Sequence, residues 1–313
     1  MYLIKRHARG DCMVKRFLSY VEIMTKITST FTFVYTIAFL LYKGQPINWG
    51  LTFLFFGSMF LFDLTTTAIN NYIDTKNNHQ TLQFPRRTAL IIIYVLFTIS
   101  TVLGLLLAWQ TDLVVLLVGG LCFLCGVFYT YGPLPISRMP LGEVMSGVFY
   151  GLLIPFLLLY INQPEGTYLT LNVNLSTISL NLQVMPLLSL LLFSVAPFST
   201  TANIMLANNT CDLEKDIAVK RHTLPYYIGR KKALYLFAGL YYMTYLATIL
   251  MVVLGILSPI CLLSVITIIP VQKNINTFFG KQEKATTFLM AIKNFMIIMG
   301  TNAVVILISA LIA

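Results

Sequence analysis

Long apolar runs, separated by short polar segments, dominate the chain. Nine of these runs are about 17 to 25 residues long, which is the length that an α-helix needs to cross the hydrocarbon core of a bilayer. They lie at 21–42, 48–69, 88–109, 112–130, 141–162, 185–207, 233–254, 256–272 and 287–312. The pattern predicts an all-α protein, a polytopic membrane bundle of about nine transmembrane helices.

One connecting segment has a different pattern. Residues 167–182 largely alternate apolar and polar side chains and carry no charge. Alternation with a period of two is typical of a strand with one covered face, so a surface hairpin or an interfacial strand is one interpretation. The preferred interpretation is an extracellular connector without chemical consequence.

Composition agrees with a membrane location. Of the 313 residues, 58% are hydrophobic and only 10% are charged, whereas about 25% are charged in a typical soluble protein. The predicted partner is the lipid bilayer, and we expect a multi-pass protein of the cell membrane. Residues 21–313 would form a single transmembrane domain, preceded by a basic cytosolic arm at 1–20 that lacks the apolar core of a signal peptide.

Basic residues mark one side of the predicted helices. All but three of the 21 Lys and Arg lie in 1–20, 70–87, 131–140, 208–232 and 273–286. Lys26 and Lys293 lie near the same ends of the first and last runs, and only Lys43 falls on the opposite side. Positively charged loops stay in the cytoplasm, so the N-terminus and these segments are predicted to be cytoplasmic. The same rule explains the net charge of +10, and no nucleic acid partner is expected.

The five cysteines do not form a recognisable disulfide or metal-binding set. Cys122 and Cys125 lie inside an apolar run, with no histidine or second cysteine pair nearby. Cys12 lies in the basic arm, and Cys211 lies in a polar segment that is predicted to be cytoplasmic. Packing between helices is therefore the predicted role of the apolar pair.

Two polar segments, at the predicted cytoplasmic ends of the second and sixth runs, repeat one pattern. They read Asn70-Asn71-x-x-Asp74-x-x-x-Asn78 and Asn208-Asn209-x-x-Asp212-x-x-x-Asp216. Residues four apart lie on the same face of a helix. Helix capping would explain one such cluster, but two clusters that match at four positions indicate a functional site. Four runs separate them, which suggests two similar four-helix units plus one extra helix.

The chemistry of these residues predicts a divalent cation and a diphosphate. Mg²⁺ prefers oxygen ligands and is usually held by one or two carboxylates together with substrate phosphates. The predicted metal ligands are Asp74, Asn78, Asp212 and Asp216. Two such half-sites at neighbouring helix ends would clamp a diphosphate through bridging Mg²⁺, and Lys220 and Arg221 would bind the phosphate oxygens directly.

The two motifs resemble the aspartate-rich motifs of the UbiA superfamily of intramembrane prenyltransferases, whose usual form is Asn-Asp-x-x-Asp-x-x-x-Asp. Here Asn71 and Asn209 replace the Asp at the second position, and Asn78 replaces the last Asp of the first motif. Asn at the second position is similar to the branch that prenylates 1,4-dihydroxy-2-naphthoate to make demethylmenaquinone.

Three further stretches resemble the same branch. The segment Asp216-x-x-x-Lys220-Arg221-His222-Thr223-Leu224 is similar to Asp-x-x-x-Gly-Lys-Arg-Thr-Leu, with Lys220 at the Gly and Arg221 at the Lys. Tyr129-Thr130-Tyr131-Gly132-Pro133, followed by Leu141-Gly142-Glu143, resembles Tyr-Thr-x-Gly-Pro and Leu-Gly-Glu. Glu22-Ile23-Met24-Thr25-Lys26 resembles Arg-Pro-Lys-Thr without the Pro.

The resemblance implies a Mg²⁺-dependent membrane aromatic prenyltransferase. It would transfer the prenyl group of a polyprenyl diphosphate to 1,4-dihydroxy-2-naphthoate with decarboxylation, as in menaquinone biosynthesis. The implied catalytic residues are Asp74, Asp212 and Asp216. The implied substrate-binding residues are Asn70, Asn71, Asn78, Asn208, Asn209, Lys220, Arg221, Lys26 and Tyr129. Aromatic residues available to line a dry pocket are Phe128, Tyr129, Tyr131, Phe149 and Tyr150.

Several alternatives stay open at this point. The acceptor could instead be 4-hydroxybenzoate, a haem or a lipid glycerol phosphate, and a multi-span transporter is the main alternative from another class. Transporters often carry inverted repeats, whereas both motifs here lie at run ends on the same predicted side. Lys26 could bind the acceptor carboxylate or the diphosphate, or its side chain could extend to the membrane interface. Arg138 and Glu143 could order the loop between the fourth and fifth runs.

Overall fold

A computed structural model describes residues 12–77, 81–130 and 136–312 of the chain. The described residues form α-helices and one two-stranded hairpin. The helices are α1 (Met13–Tyr20), α2 (Ile27–Tyr42), α3 (Trp49–Asn77), α4 (Arg86–Gln110), α5 (Leu113–Thr130), α6 (Gly142–Ser146), α7 (Ile154–Tyr160), α8 (Val184–Cys211), α9 (Leu213–Ala218), α10 (Leu224–Val253), α11 (Ile268–Gly280) and α12 (Leu289–Ile312). A π-helical segment, Gly147–Leu153, joins α6 to α7, and a 3₁₀ segment, Pro259–Thr267, leads into α11.

The predicted all-α membrane bundle is confirmed. Within the described ranges, eight helical segments are long and apolar enough to cross a membrane, and the apolar helix Leu113–Tyr129 is a shorter ninth. Two helices extend beyond their apolar runs: α3 continues to Asn77, and α8 continues to Cys211. Helix α10 begins at Leu224 but is kinked at Gly229, whose φ of 78° and ψ of 153° are non-helical. Intrahelical hydrogen bonds also form outside the lipid, so a helix does not have to end where its apolar run ends.

The bundle is built from a few large helix contacts. Helix α3 packs along α4, α8 along α10, and α12 along both α2 and α8. At the centre, the ring of Phe193 on α8 stacks on Tyr35 and Phe39 of α2, with centroid distances of 4.2 and 4.3 Å. These aromatic contacts join α2 to α8 inside the core.

A close approach of backbones joins the π-helical segment to α8. A Cβ atom on Gly151 would lie 2.2 Å from the Cα atom of Phe198. Two carbon atoms that are not bonded cannot come so close, so only glycine fits at this position. The neighbouring Pro197 lies inside α8. This contact brings the start of α6 beside the last turns of α8, where the second Asn/Asp motif lies.

The alternating segment forms a hairpin, as one of the two sequence interpretations predicted. Strands β1 (Leu169–Val173) and β2 (Ile178–Leu182) pair antiparallel, with Leu169 opposite Leu182 and Leu171 opposite Leu180. Leu169 and Leu171 pack against the hydrophobic core that contains Phe193. We call this end of the bundle the hairpin end, and the opposite end, where α3 and α8 finish, the motif end.

The start of the described chain is packed against the bundle. Tyr20 is fully buried, and its hydroxyl donates a hydrogen bond to the carbonyl oxygen of Ala68 at 3.0 Å. Arg16 donates to the carbonyl oxygen of Gln83 at 2.9 Å. Residues 12–20 of the predicted basic arm are therefore docked on α3 and on the segment before α4, and residues 1–11 lie outside the described ranges.

Candidate active site

Arg221 contacts the second Asn/Asp motif and interacts electrostatically with the first. Its guanidinium is 3.8 Å from the carboxylate of Asp216, and its backbone N–H donates to the Asp216 carbonyl oxygen at 2.8 Å. The same guanidinium interacts electrostatically with Asp74 at the end of α3 and with Glu143 at the start of α6. Arg221 therefore interacts electrostatically with acids of both motifs.

One carboxylate oxygen of Asp216 is available to bind a ligand. Its side chain is buried, and in the described part of the chain its Oδ2 atom has no hydrogen-bond partner. Burial raises the pKa of Asp216 above its usual value, and the Arg221 guanidinium opposes that shift. An oriented, incompletely paired carboxylate of this kind favours a bound cation, since the charge would then be compensated.

The first motif presents two different faces. Asn70 lines an apolar cavity between α3, α4 and α5. Asp74, one turn further along α3, interacts electrostatically with Arg221 and Arg138. Asn71 lies on another face, where its Nδ2 atom donates to the Tyr20 carbonyl oxygen at 2.9 Å and to Glu22 Oε1 at 3.1 Å. The predicted ligand Asn78 lies outside the described residues.

The second motif repeats this arrangement. The Nδ2 atom of Asn209 donates to Glu143 Oε1 at 2.9 Å, and both side chains are buried. We call the pairs Asn71–Glu22 and Asn209–Glu143 the amide braces, because each ties the end of a motif helix to the start of the preceding span. Both amides were predicted to bind substrate, and in this structure their NH₂ groups are hydrogen-bonded to these glutamates.

Asn208 and Asp212 are contacted by a residue that the sequence interpretation left out. The ammonium of Lys284 donates to Asp212 Oδ2 at 2.7 Å and also to the amide oxygen of Asn208. Lys284 belongs to segment 281–288, which joins α11 to α12. The only signal in the sequence was its place in a segment that was predicted to lie on the same side as the motifs.

The two basic residues that were predicted to bind phosphate differ in position. Arg221 is partly buried at the centre, whereas Lys220 is exposed. The backbone of Lys220 has a φ of 55°, in the left-handed region that favours glycine. This conformation agrees with the glycine that the resembling motif carries at that position.

Lys26 lies inside the bundle and does not extend to the membrane interface. Its ammonium donates to Asp63 Oδ1 at 2.7 Å, and both side chains are about 95% buried. The Asp63 carboxylate also accepts hydrogen bonds from Ser29 at 2.7 Å and from Tyr150 at 2.8 Å. Sequence reasoning missed Asp63, although an acid in the middle of an apolar run is itself a signal.

An apolar cavity opens beside the first motif. It has a volume of about 580 Å³ and lies between α3, α4, α5 and the α6–α7 segment. Asn70 and Tyr129 line it at the motif end, and Phe55 lines it towards the hairpin end. Fifteen residues of α3 separate Asn70 from Phe55, so the cavity extends for roughly 22 Å along the helix. Of the aromatic residues that were predicted to line a pocket, Tyr129, Phe149 and Tyr150 do so.

The carboxylates do not form a ready-made metal cage. No three His, Cys, Asp or Glu side chains in the described ranges are grouped closely enough to hold a metal ion. Asp74 lies near the end of α3, whereas Asp212 and Asp216 lie at the end of α8 and in α9. This split donor set, with the unpaired Oδ2 atom of Asp216, fits Mg²⁺ that is held by one or two carboxylates and completed by substrate phosphates.

Membrane-spanning helices in this structure carry acidic side chains near an arginine, beside an apolar cavity. The chain belongs to the UbiA prenyltransferase family, whose profile matches residues 31–298. The transporter alternative is therefore set aside.

A curated relative and several solved structures are similar to the chain. The 1,4-dihydroxy-2-naphthoate octaprenyltransferase of Bacillus subtilis (strain 168) is 25% identical over 208 residues, which cover 63% of this chain and 60% of that protein. A digeranylgeranylglyceryl phosphate synthase structure matches with a TM-score of 0.64 at 17% identity, covering 96% of this chain and 99% of that one. The Archaeoglobus fulgidus UbiA homologue bound to GPP and Mg²⁺ matches at 0.62 and 15% identity, covering 93% and 99%. At these identities the structural likeness shows the fold.

Proposed function

We propose that this protein transfers a polyprenyl group from a polyprenyl diphosphate to 1,4-dihydroxy-2-naphthoate, releasing diphosphate and CO₂ and giving demethylmenaquinol, the hydroquinone form of demethylmenaquinone. The observation that carries the proposal is the pairing of Arg221 with Asp216 and its electrostatic interaction with Asp74, near a long apolar cavity. The Bacillus subtilis relative, named for this acceptor, supports its choice.

Asp74, Asp212 and Asp216 would hold Mg²⁺, which when bound supplies positive charge to the leaving diphosphate. Arg221 binds phosphate oxygens that the metal leaves free, because its planar guanidinium presents several donors in a fixed geometry. As the C–O bond of the donor breaks, its electron pair moves to the diphosphate. Preorganised cations around that group lower the barrier because the charge develops where they already stand.

The cavity holds the prenyl chain and keeps water from the allylic cation. Its wall near the motif end carries Tyr129 and Tyr150, whose ring faces attract positive charge. The electron-rich acceptor ring attacks the cation through the carbon that bears the carboxylate and forms the new C–C bond. The carbon–carboxylate bond then breaks, CO₂ leaves, and the electron pair of that bond restores the aromatic ring.

The motif end is proposed to lie on the cytoplasmic side of a cell membrane. The basic residues of 208–232 and 273–286 lie at this end, and Lys43 lies towards the other. The bias in Lys and Arg supports this orientation. A soluble acceptor would then reach the site from the cytoplasm, and the lipid donor would reach it from the bilayer.

Product mass tests the proposed function directly. Membranes that contain the protein are incubated with polyprenyl diphosphate and Mg²⁺, and with either 1,4-dihydroxy-2-naphthoate or 4-hydroxybenzoate. We expect a prenylated naphthol that lacks the carboxylate, formed only with the naphthoate. EDTA should abolish the product and added Mg²⁺ should restore it, because the carboxylate half-sites need a metal to bind a diphosphate. A product from 4-hydroxybenzoate alone would contradict the proposed acceptor.

Occupancy of the cavity by the prenyl chain can be measured with two natural cysteines. Cys122 and Cys125 line the cavity, so bound polyprenyl diphosphate with Mg²⁺ should slow their alkylation by an uncharged maleimide, measured by peptide mass spectrometry. Inorganic diphosphate carries no prenyl chain and should leave their alkylation unchanged. The exposed Cys12 is the internal control. Equal labelling of Cys122 and Cys125 with and without the donor would show that the prenyl chain binds elsewhere.

A further inference from the structure

The side chain of Lys284 forms hydrogen bonds with both Asn208 and Asp212. It comes from a position 72 residues beyond Asp212 in sequence. Asn208 and Asp212 are four residues apart and share the face that would bind metal. The lysine ammonium therefore stands where the second half-site would receive a divalent cation.

The segment that carries Lys284 is well ordered by its own hydrogen bonds. The backbone N–H of Glu283 donates to Thr287 Oγ1 at 2.8 Å, and the N–H groups of Thr287 and Phe288 both donate to the Glu283 carbonyl oxygen at 3.0 Å. The Lys284 ammonium also lies 5.1 Å from the centre of the Phe288 ring. The turn and the ring together direct the lysine towards α8.

We propose that the Lys284 ammonium occupies the metal position at Asp212 in the empty enzyme and binds the diphosphate when the metal is present. In the empty enzyme its ammonium compensates the charge of Asp212. When Mg²⁺ and diphosphate bind, the metal takes Asp212, and the ammonium moves to the adjacent phosphate oxygens. Like charges repel at this separation, so Lys284 and the metal cannot share Asp212 unless an anion lies between them. The inference rests on the proposed function, because it needs a diphosphate at this site.

The proposal predicts opposite effects of one substitution on two affinities. Lys284→Gln should tighten the binding of Mn²⁺ alone, followed by the EPR signal of the free ion, because a competing cation has been removed. The same variant should bind polyprenyl diphosphate with Mg²⁺ roughly tenfold more weakly, because a charge-assisted hydrogen bond is lost. Lys284→Arg keeps the charge and should restore most of the diphosphate affinity.

Lys281→Gln is the matched control. Lys281 lies in the same segment, is exposed, and pairs with Glu283 at 2.6 Å, so both affinities should stay close to wild type. Unchanged affinities in Lys284→Gln, or a fall in both, would overturn the inference while the proposed function stands, provided that the wild type binds the donor. A wild type that binds no polyprenyl diphosphate would overturn the proposed function and the inference with it.

Discussion

Asp216→Ala should reduce prenyl transfer by at least about 100-fold, since losing one preorganised group at a developing charge typically has an effect of this size. Asp216 is buried and directly beside Arg221, and one of its oxygens is unpaired. The variant would lose a metal ligand and the partner that orients the arginine. Initial rates with saturating donor and acceptor, in the presence of Mg²⁺, measure the effect.

Glu214→Ala is the control for this experiment. Glu214 lies in the same short helix, but its side chain is 69% exposed and pairs with Arg230, away from Arg221. Exposed pairs contribute little to stability, so this variant should keep nearly full activity. Yield and monodispersity in detergent establish that both variants insert and fold. Near-wild-type turnover of a folded Asp216→Ala variant would refute the proposed diphosphate site.

Asp63→Leu should destabilise the protein by about 3–5 kcal/mol, the usual consequence of removing one partner of a buried ion pair. The carboxylate accepts hydrogen bonds from Lys26, Ser29 and Tyr150. Without it, the ammonium of Lys26 would be left as an uncompensated charge inside the bundle. A lower melting temperature of the purified protein in detergent is the expected result.

The double variant Lys26→Met and Asp63→Leu separates the charge from the packing. Because both charges are removed together, most of the lost stability should return. If the double variant melts as low as the single one, the loss comes from packing around residue 63. A single Asp63→Leu variant that melts like the wild type would show that the buried pair contributes nothing to stability.

The spanning helices could be predicted from the sequence because lipid leaves a crossing chain few ways to satisfy its backbone. The helix ends could not be predicted in the same way. The sixth apolar run ends at 207, whereas α8 ends at Cys211. Apolarity reports where the lipid ends, and helix ends depend on local hydrogen bonds. Asn208 is therefore still helical, and its direction is fixed by α8.

Spacing was enough to find the half-sites but not to say what each side chain contacts. Neighbouring residues on a helix point about 100° apart, so Asn71 could not share the face of Asn70. That it meets Glu22 depends on how α1 and α2 pack against α3. Lys284 and Asp63 were missed for the same reason, because their partners lie 72 and 37 residues away in sequence.

Because of the amide braces, the position of a half-site does not depend on its charged residues. Asn71 and Asn209 fix the ends of α3 and α8 through Glu22 and Glu143, and neither brace uses a carboxylate of the motif itself. A half-site held in this way can exchange an acid for an amide without losing the hydrogen bonds that position its helix end. Metal affinity on one side of the site can therefore change while the positions of both helix ends stay the same.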